Sequence, residues 1–151
     1  MKVEIYSRKA IQALIDGEFP EKTAVISFYS PKDARRDDYA PVDYRNKPER
    51  LMHVCANDID IETLPSFGLT YESYMPDADR LAAFIRDAAA DGFDFICQCD
   101  YGQSRSAACA AAIQEYFEKS GIWVFADYRY YPNQLVFNKI YDALQKENKR
   151  D

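Results

Sequence analysis

The strongest constraint on how this chain folds lies at residues 93–117, FDFICQCDYGQSRSAACAAAIQEYF. The apolar run FDFICQ (93–98) has the length and composition of a buried strand and runs straight into Cys99. Five residues follow, Asp100 to Ser104, and then Arg105 opens an alanine-rich segment that reads as a helix over 105–119. A strand, a very short polar connection and a helix of small side chains form a βα unit whose helix packs closely on the sheet. The chain around it must therefore supply further parallel strands and helices.

It does so in order. KVEIY (2–6) alternates like a strand, and SRKAIQALIDG (7–17) reads as a helix with Ser7 near its start and Gly17 at its end. TAVISFY (23–29) is a more buried strand and RLMHVCA (50–56) a third. Residues 30–50 are charged, hold three prolines and lack periodicity, so a long loop is expected, and 57–76 is expected to be irregular too. DADRLAAFIRDAAADG (77–92) predicts a helix capped by Asp77 and stopped by Gly92. PNQLVFNKIYDALQKE (132–147) predicts the last helix, with a proline in its first turn. The expected architecture is α/β: a central, mostly parallel sheet of four to five strands flanked by helices, with a loop between strand and helix at its carboxyl edge. The 151 residues suit one domain, 1–151, with a single sizeable core.

Composition removes several function classes. A net charge of −6 disfavours nucleic acid as a partner, and the basic stretch RNKPER (45–50) is expected to be a solvated loop. No apolar run approaches the ~20 residues of a membrane helix. The first residues lack a signal-peptide pattern, so a cytoplasmic location is expected with no membrane partner. The four cysteines show no C-x-x-C pair and the chain has one histidine, His53, so neither zinc nor any other metal is expected. Disulfides are not expected in the cytoplasm, and Cys55, Cys97 and Cys109 read as small core residues.

Cys99 stands apart. Between it and Arg105 the backbone can curl so that successive N–H groups point inward and hold an anion. The helix start at Ser104 and Arg105 adds unsatisfied N–H groups and about half a positive charge. Gly102 supplies the position where the chain turns without a Cβ, and the Arg105 guanidinium is a planar fork for two phosphate oxygens. A cysteine in such surroundings is a thiolate near neutral pH, aimed at a bound phosphoester, and Ser106 can donate a hydrogen bond to its sulfur. The loop residues Asp100, Tyr101, Gly102, Gln103, Ser104 and Arg105 are thus the candidate phosphate binders.

Cys99, five residues, Arg105 and Ser106 resemble the C-x5-R-[S/T] signature of the cysteine-dependent protein tyrosine phosphatases, most closely the small dual-specificity and bacterial phosphatase-like group. YPNQLVFNKIYDAL is similar to the Pro-Asn-x-x-Phe helix that follows the signature there, and the likeness covers 50–144 but not the loop 30–50. It implies a phosphatase fold and hydrolysis of phosphate monoesters through a phosphocysteine, with Cys99 as nucleophile and no cofactor. Substrates would be phosphotyrosine or phosphoserine/threonine proteins, or small phosphoesters. It also implies an aspartate general acid before the signature. Asp58 in CANDID is the candidate and Asp60 the runner-up; Asp77 in YMPD is set aside because a helix and a strand fill the interval to Cys99. Two departures stand out: Gln98 where the family has histidine, and Asp100 beside the thiolate. They support one rival, a catalytically silent phosphate-binding module; a second and weaker rival is a rhodanese-like sulfurtransferase, which also uses a cysteine in an anion-binding loop. Cys55, ending the neighbouring strand, is the candidate resolving thiol for an oxidised Cys99.

Overall fold

The computed structural model describes residues 1–32 and 39–149, so the middle of the expected long loop lies outside the described residues. Four strands, β1 (Val3–Tyr6), β2 (Thr23–Tyr29), β3 (Arg50–Cys55) and β4 (Asp94–Gln98), form one parallel sheet in the order β1-β4-β2-β3. β2 and β4 occupy the centre. Six of the seven residues of β2 and four of the five of β4 are buried, as expected for strands covered on both faces.

Alternation along these strands divides the core. Ala24, Ile26, Phe28, Phe95 and Cys97 face the larger cluster, built with α2 (Ala78–Ala90), α3 (Arg105–Glu118) and α5 (Gln134–Lys149). Val25 and Ile96 point the other way, onto Ile11 and Ile15 of α1 (Arg8–Asp16) together with Val42 and Tyr44. In α3 every residue from Arg105 to Ile113 is buried. Seven of those nine are alanine, serine or cysteine, and only such small side chains let one helix be enclosed by the sheet, α5 and α4 (Ile122–Ala126) together. Among the described residues no helix is long and apolar enough to cross a membrane.

Several local expectations are corrected. The segment 57–76 contains a 3-10 helix, Ile61–Phe67, and α4 is a further helix that periodicity over five residues could not reveal. Asp77 precedes α2 without capping it; its carboxylate accepts from Arg80 Nη1 at 3.0 Å instead. Pro132 lies before α5 rather than in its first turn, because Asn133 is the cap: Val136 N–H donates to its Oδ1 at 2.9 Å. RNKPER is largely exposed, as expected of a solvated loop, and it also straps onto the end of α1. Arg45 reaches Asp16 at 3.0 Å, and the Lys47 ammonium donates to the Ile15 and Gly17 carbonyls that end α1. Arg50 pairs with Asp91 and lies over the Phe93 ring at 4.3 Å.

Candidate active site

The site gathers at the carboxyl edge of the sheet, where β4 hands over to α3. Cys99 follows the last residue of β4 and is 2% exposed, with its amide donating to the Tyr6 carbonyl at 3.2 Å. Between Asp100 and Ser104 three carbonyls are held by neighbouring segments. Asp100 O accepts from Arg8 N at 2.9 Å, Gln103 O from Tyr131 N at 2.8 Å, and Ser104 O from Asn133 N at 3.2 Å. Among the described residues the amides of 100–104 have no protein acceptor. A run of loop amides without protein acceptors is a geometry that can hold an anion.

Gly102 makes the curl possible. Its φ is +69°, and a Cβ there would stand 2.7 Å from the Ser7 amide nitrogen and 2.9 Å from the Tyr6 carbonyl carbon. The loop is thus pressed against the β1–α1 junction at a point only glycine fits. Tyr101 and Gln103 contribute backbone; their side chains are exposed.

Arg105 is wholly buried, and its Nη1 donates to Ser30 Oγ at 2.9 Å and to the Ala56 carbonyl at 3.0 Å. Ser30 and Ala56 immediately follow β2 and β3, so the guanidinium is held by the ends of two neighbouring strands. Ser106 Oγ lies 3.0 Å from Cys99 Sγ. Thiol and hydroxyl therefore meet where β4 gives way to α3, and the guanidinium is anchored at the ends of β2 and β3 on the same edge of the sheet.

The two aspartates separate cleanly. Asp58 Oδ1 accepts from Ser104 Oγ at 2.7 Å and from Asn133 Nδ2 at 2.9 Å, which ties it to the loop. Ser104, at the cap position of α3, makes no side-chain cap bond; its hydroxyl serves Asp58. Asp60 caps the 3-10 helix, accepting from Thr63 N at 3.0 Å and Thr63 Oγ1 at 2.5 Å, and those bonds hold its carboxyl below the usual range. Asp100, the acid beside Cys99, is drawn toward Arg8, whose Nε lies 3.8 Å from its Oδ1.

Gln98 occupies a buried, fully used position. Its Oε1 accepts from Ser27 Oγ and from Tyr44 OH (2.9 Å), and its Nε2 donates to the Cys99 carbonyl at 2.9 Å. The glutamine steadies the peptide at the start of the loop. Ser30, Asn133 and Tyr44 were not foreseen in these roles. Ser30 directly follows a buried strand at the carboxyl edge, which was the available signal for it. Asn133 lies in the motif carried by resemblance, which gives it no partner.

The fold is a phosphatase fold. The chain superposes on PTPMT1 in complex with PI(5)P with a TM-score of 0.57 at 12% identity, covering 99% of this chain and 94% of that one. Human DUSP28 gives 0.54 at 15% identity, covering 99% and 95%. Tk-PTP in its active form gives 0.53 at 10% identity, covering 97% and 93%. All three are cysteine-based members of the protein tyrosine phosphatase superfamily. No family model matches the sequence, and no curated protein sequence matches it. At such identities the likeness speaks for the architecture alone, and the roles of individual residues rest on the geometry above.

The remaining thiols differ in burial. Cys97 and Cys109 are fully buried, and burial together with the neighbouring Cys97 pushes the Cys109 thiol well up. Cys55 is only half-buried, which corrects its reading as a core residue, and it lies against Tyr29. None of the four is in a disulfide.

Proposed function

We propose that the protein is a cysteine-dependent phosphatase acting on phosphate monoesters. The observation that carries this reading is the 3.0 Å contact between Cys99 Sγ and Ser106 Oγ, at the two ends of a loop whose amides have no protein acceptor among the described residues and which runs into the buried Arg105. The loop amides and Arg105 bind the three non-bridging oxygens and stabilise the charge they carry in the transition state. Cys99 Sγ attacks phosphorus in line, and the ester oxygen departs with a proton from Asp58. Both partners of Asp58 occupy Oδ1, which leaves Oδ2 to carry that proton. Water then attacks the phosphocysteine, Asp58 takes a proton from it, and the thiolate leaves with Ser106 Oγ donating to the sulfur. Atoms balance to an alcohol and inorganic phosphate. Asp60, spent on its cap, is left out.

Hydrolysis of an aryl phosphate by the parent, Cys99→Ser and Asp58→Ala, with thiosulfate offered in parallel, tests the reading. Turnover by the parent that Cys99→Ser abolishes is expected, with Asp58→Ala losing about 10²–10⁴-fold, the range of general acid catalysis. Vanadate binding without turnover would instead establish a silent phosphate-binding module. Sulfur transfer from thiosulfate would establish the rhodanese-like alternative.

A further inference from the structure

β1 is an edge strand, and among the described residues no backbone is bonded to its outer side. Its carbonyls at Lys2 and Tyr6 accept from Phe95 N (2.8 Å) and Cys99 N (3.2 Å), so strand alternation turns the N–H and C=O of Val3 and Ile5 outward. Along this edge runs a groove of about 450 Å³, whose opposite wall is Trp123 and Val124 of α4 with Tyr130 beyond. Trp123 is 73% exposed, and Ile122, Tyr128 and Tyr131 in the same short segment are exposed as well. Such a concentration of apolar surface beside an unpaired edge marks an interaction site.

The groove's chemistry narrows its occupant. Its charged members are Glu4, Asp127 and Arg129, and the last two are spent on each other, with Arg129 Nη2 donating to Asp127 Oδ2 at 2.7 Å, which leaves the Glu4 carboxylate. Among the residues lining the groove no cation is left to favour an anionic headgroup. An open row of backbone donors and acceptors facing a helix asks for another backbone, the strand-addition mode of peptide recognition.

Both walls lead to the catalytic loop. β1 ends at Tyr6, whose carbonyl holds the Cys99 amide, and Gly102 packs on Ser7. On the other side Tyr131 N is bonded to the Gln103 carbonyl. A segment added beside β1 lies about two strand spacings, or ~10 Å, from the line of β4, which carries Cys99 at its end. Roughly three extended residues span that distance.

We propose that the β1–α4 groove docks an extended stretch of a phosphoprotein substrate as a fifth strand and delivers a phosphorylated residue roughly three positions away to Cys99. The proposal rests on the phosphatase reading and makes the substrate class polypeptide rather than small phosphoester.

Trp123 is the only tryptophan in the chain, so its fluorescence reports occupancy of the groove without any need for turnover. The probes are two phosphotyrosyl peptides with an alternating valine–threonine run on either the N- or the C-terminal side, their unphosphorylated forms, and phosphotyrosine amide. One peptide is expected to shift Trp123 emission and to have a KM at least about tenfold below that of phosphotyrosine amide, equivalent to ~1.4 kcal/mol. Trp123→Ala should erase that advantage, as should Val3→Pro, which removes one outward donor at a position an edge strand tolerates. Both variants should turn over phosphotyrosine amide as the parent does. Unchanged emission together with equal KM values would overturn the proposal. So would Trp123-dependent turnover of a soluble short-chain phosphoinositide in place of the peptides. If the parent hydrolyses nothing, the phosphatase reading fails; the groove then stands or falls on emission with the unphosphorylated peptides.

Discussion

At the scale of single residues, the site depends on side chains doing two jobs. Asn133 caps α5 through Oδ1 while its amide donates to Asp58 Oδ1 and to the Ile59 carbonyl, both at 2.9 Å. Asn133→Ala should therefore cost about 1 kcal/mol of stability for the lost cap and, by freeing Asp58, about 10–10²-fold in kcat. Asn133→Ser separates the jobs, since it keeps a capping oxygen but has no amide for Asp58. Its urea midpoint should match the parent while kcat falls, and falls further for phenyl phosphate than for p-nitrophenyl phosphate, whose leaving group needs no proton. Equal losses on both esters would remove Asn133 from the positioning of the acid. Gly102→Ala faces both a left-handed φ and a backbone contact at 2.7 Å. It should lose at least about 10²-fold in kcat/KM, because a loop displaced by a fraction of an ångström no longer holds the phosphate in line. Cys99, Gly102, Arg105 and Ser106 were legible because their spacing within one βα junction is itself the device. The different settings of Asp58 and Asp60 were legible only in part: position after β3 put Asp58 near the loop, whereas the Thr63 bonds that occupy Asp60 depend on a 3-10 turn the sequence did not announce.

At the scale of elements, strands and long helices could be read because burial imposes a period on them, and β2 was found at the expected bounds. The strap from Tyr39 to Glu49 could not. Its buried residues, Val42 and Tyr44, are isolated among charges and follow no period. Yet the strap is wired to the loop, since Tyr44 OH and Ser27 Oγ share Gln98 Oε1 and Gln98 holds the Cys99 carbonyl. A double-mutant cycle tests that wiring. Tyr44→Phe alone should cost about 1 kcal/mol, the net worth of a buried hydrogen bond. Gln98→Leu should cost more, roughly 2–4 kcal/mol, because it leaves two buried hydroxyls without their acceptor. In the Gln98→Leu background Tyr44→Phe should then be neutral or stabilising, since it removes an orphaned donor. Additive losses in urea unfolding would show that Tyr44 and Gln98 act independently and that the strap does not support the loop.

At the scale of the whole molecule, the parallel sheet is the reason distant residues meet. Ser30, Ala56 and Cys99 come from three chain segments and converge because their strands run the same way and end at the same edge. That convergence was predictable as a place, not as a list of partners. The sheet's other consequence is a dependence of stability on pH set on β3. His53 packs between Tyr44 (5.8 Å) and Tyr29 (6.4 Å), and among the described residues its buried Nδ1 has no partner. Burial lowers its pKa from the usual 6.5, so the unfolded chain takes up this proton at a higher pH than the folded one. By linkage, stability is full above about pH 6.5 and declines as pH falls from there toward the folded value. Asp60 and Asp127 do not disturb this window: hydrogen bonds hold both below their ordinary 3.8, so what they contribute is lost only as pH falls through those lowered values. The urea midpoint should thus be lower at about pH 5.5 than at about pH 7.5, and His53→Phe should flatten the difference while keeping the ring contacts. Because the chain has a single histidine, its NMR titration in the folded state is unambiguous and should fall below 6.5. A midpoint equally sensitive to pH in His53→Phe would place the proton uptake on another group and remove His53 from the account of stability.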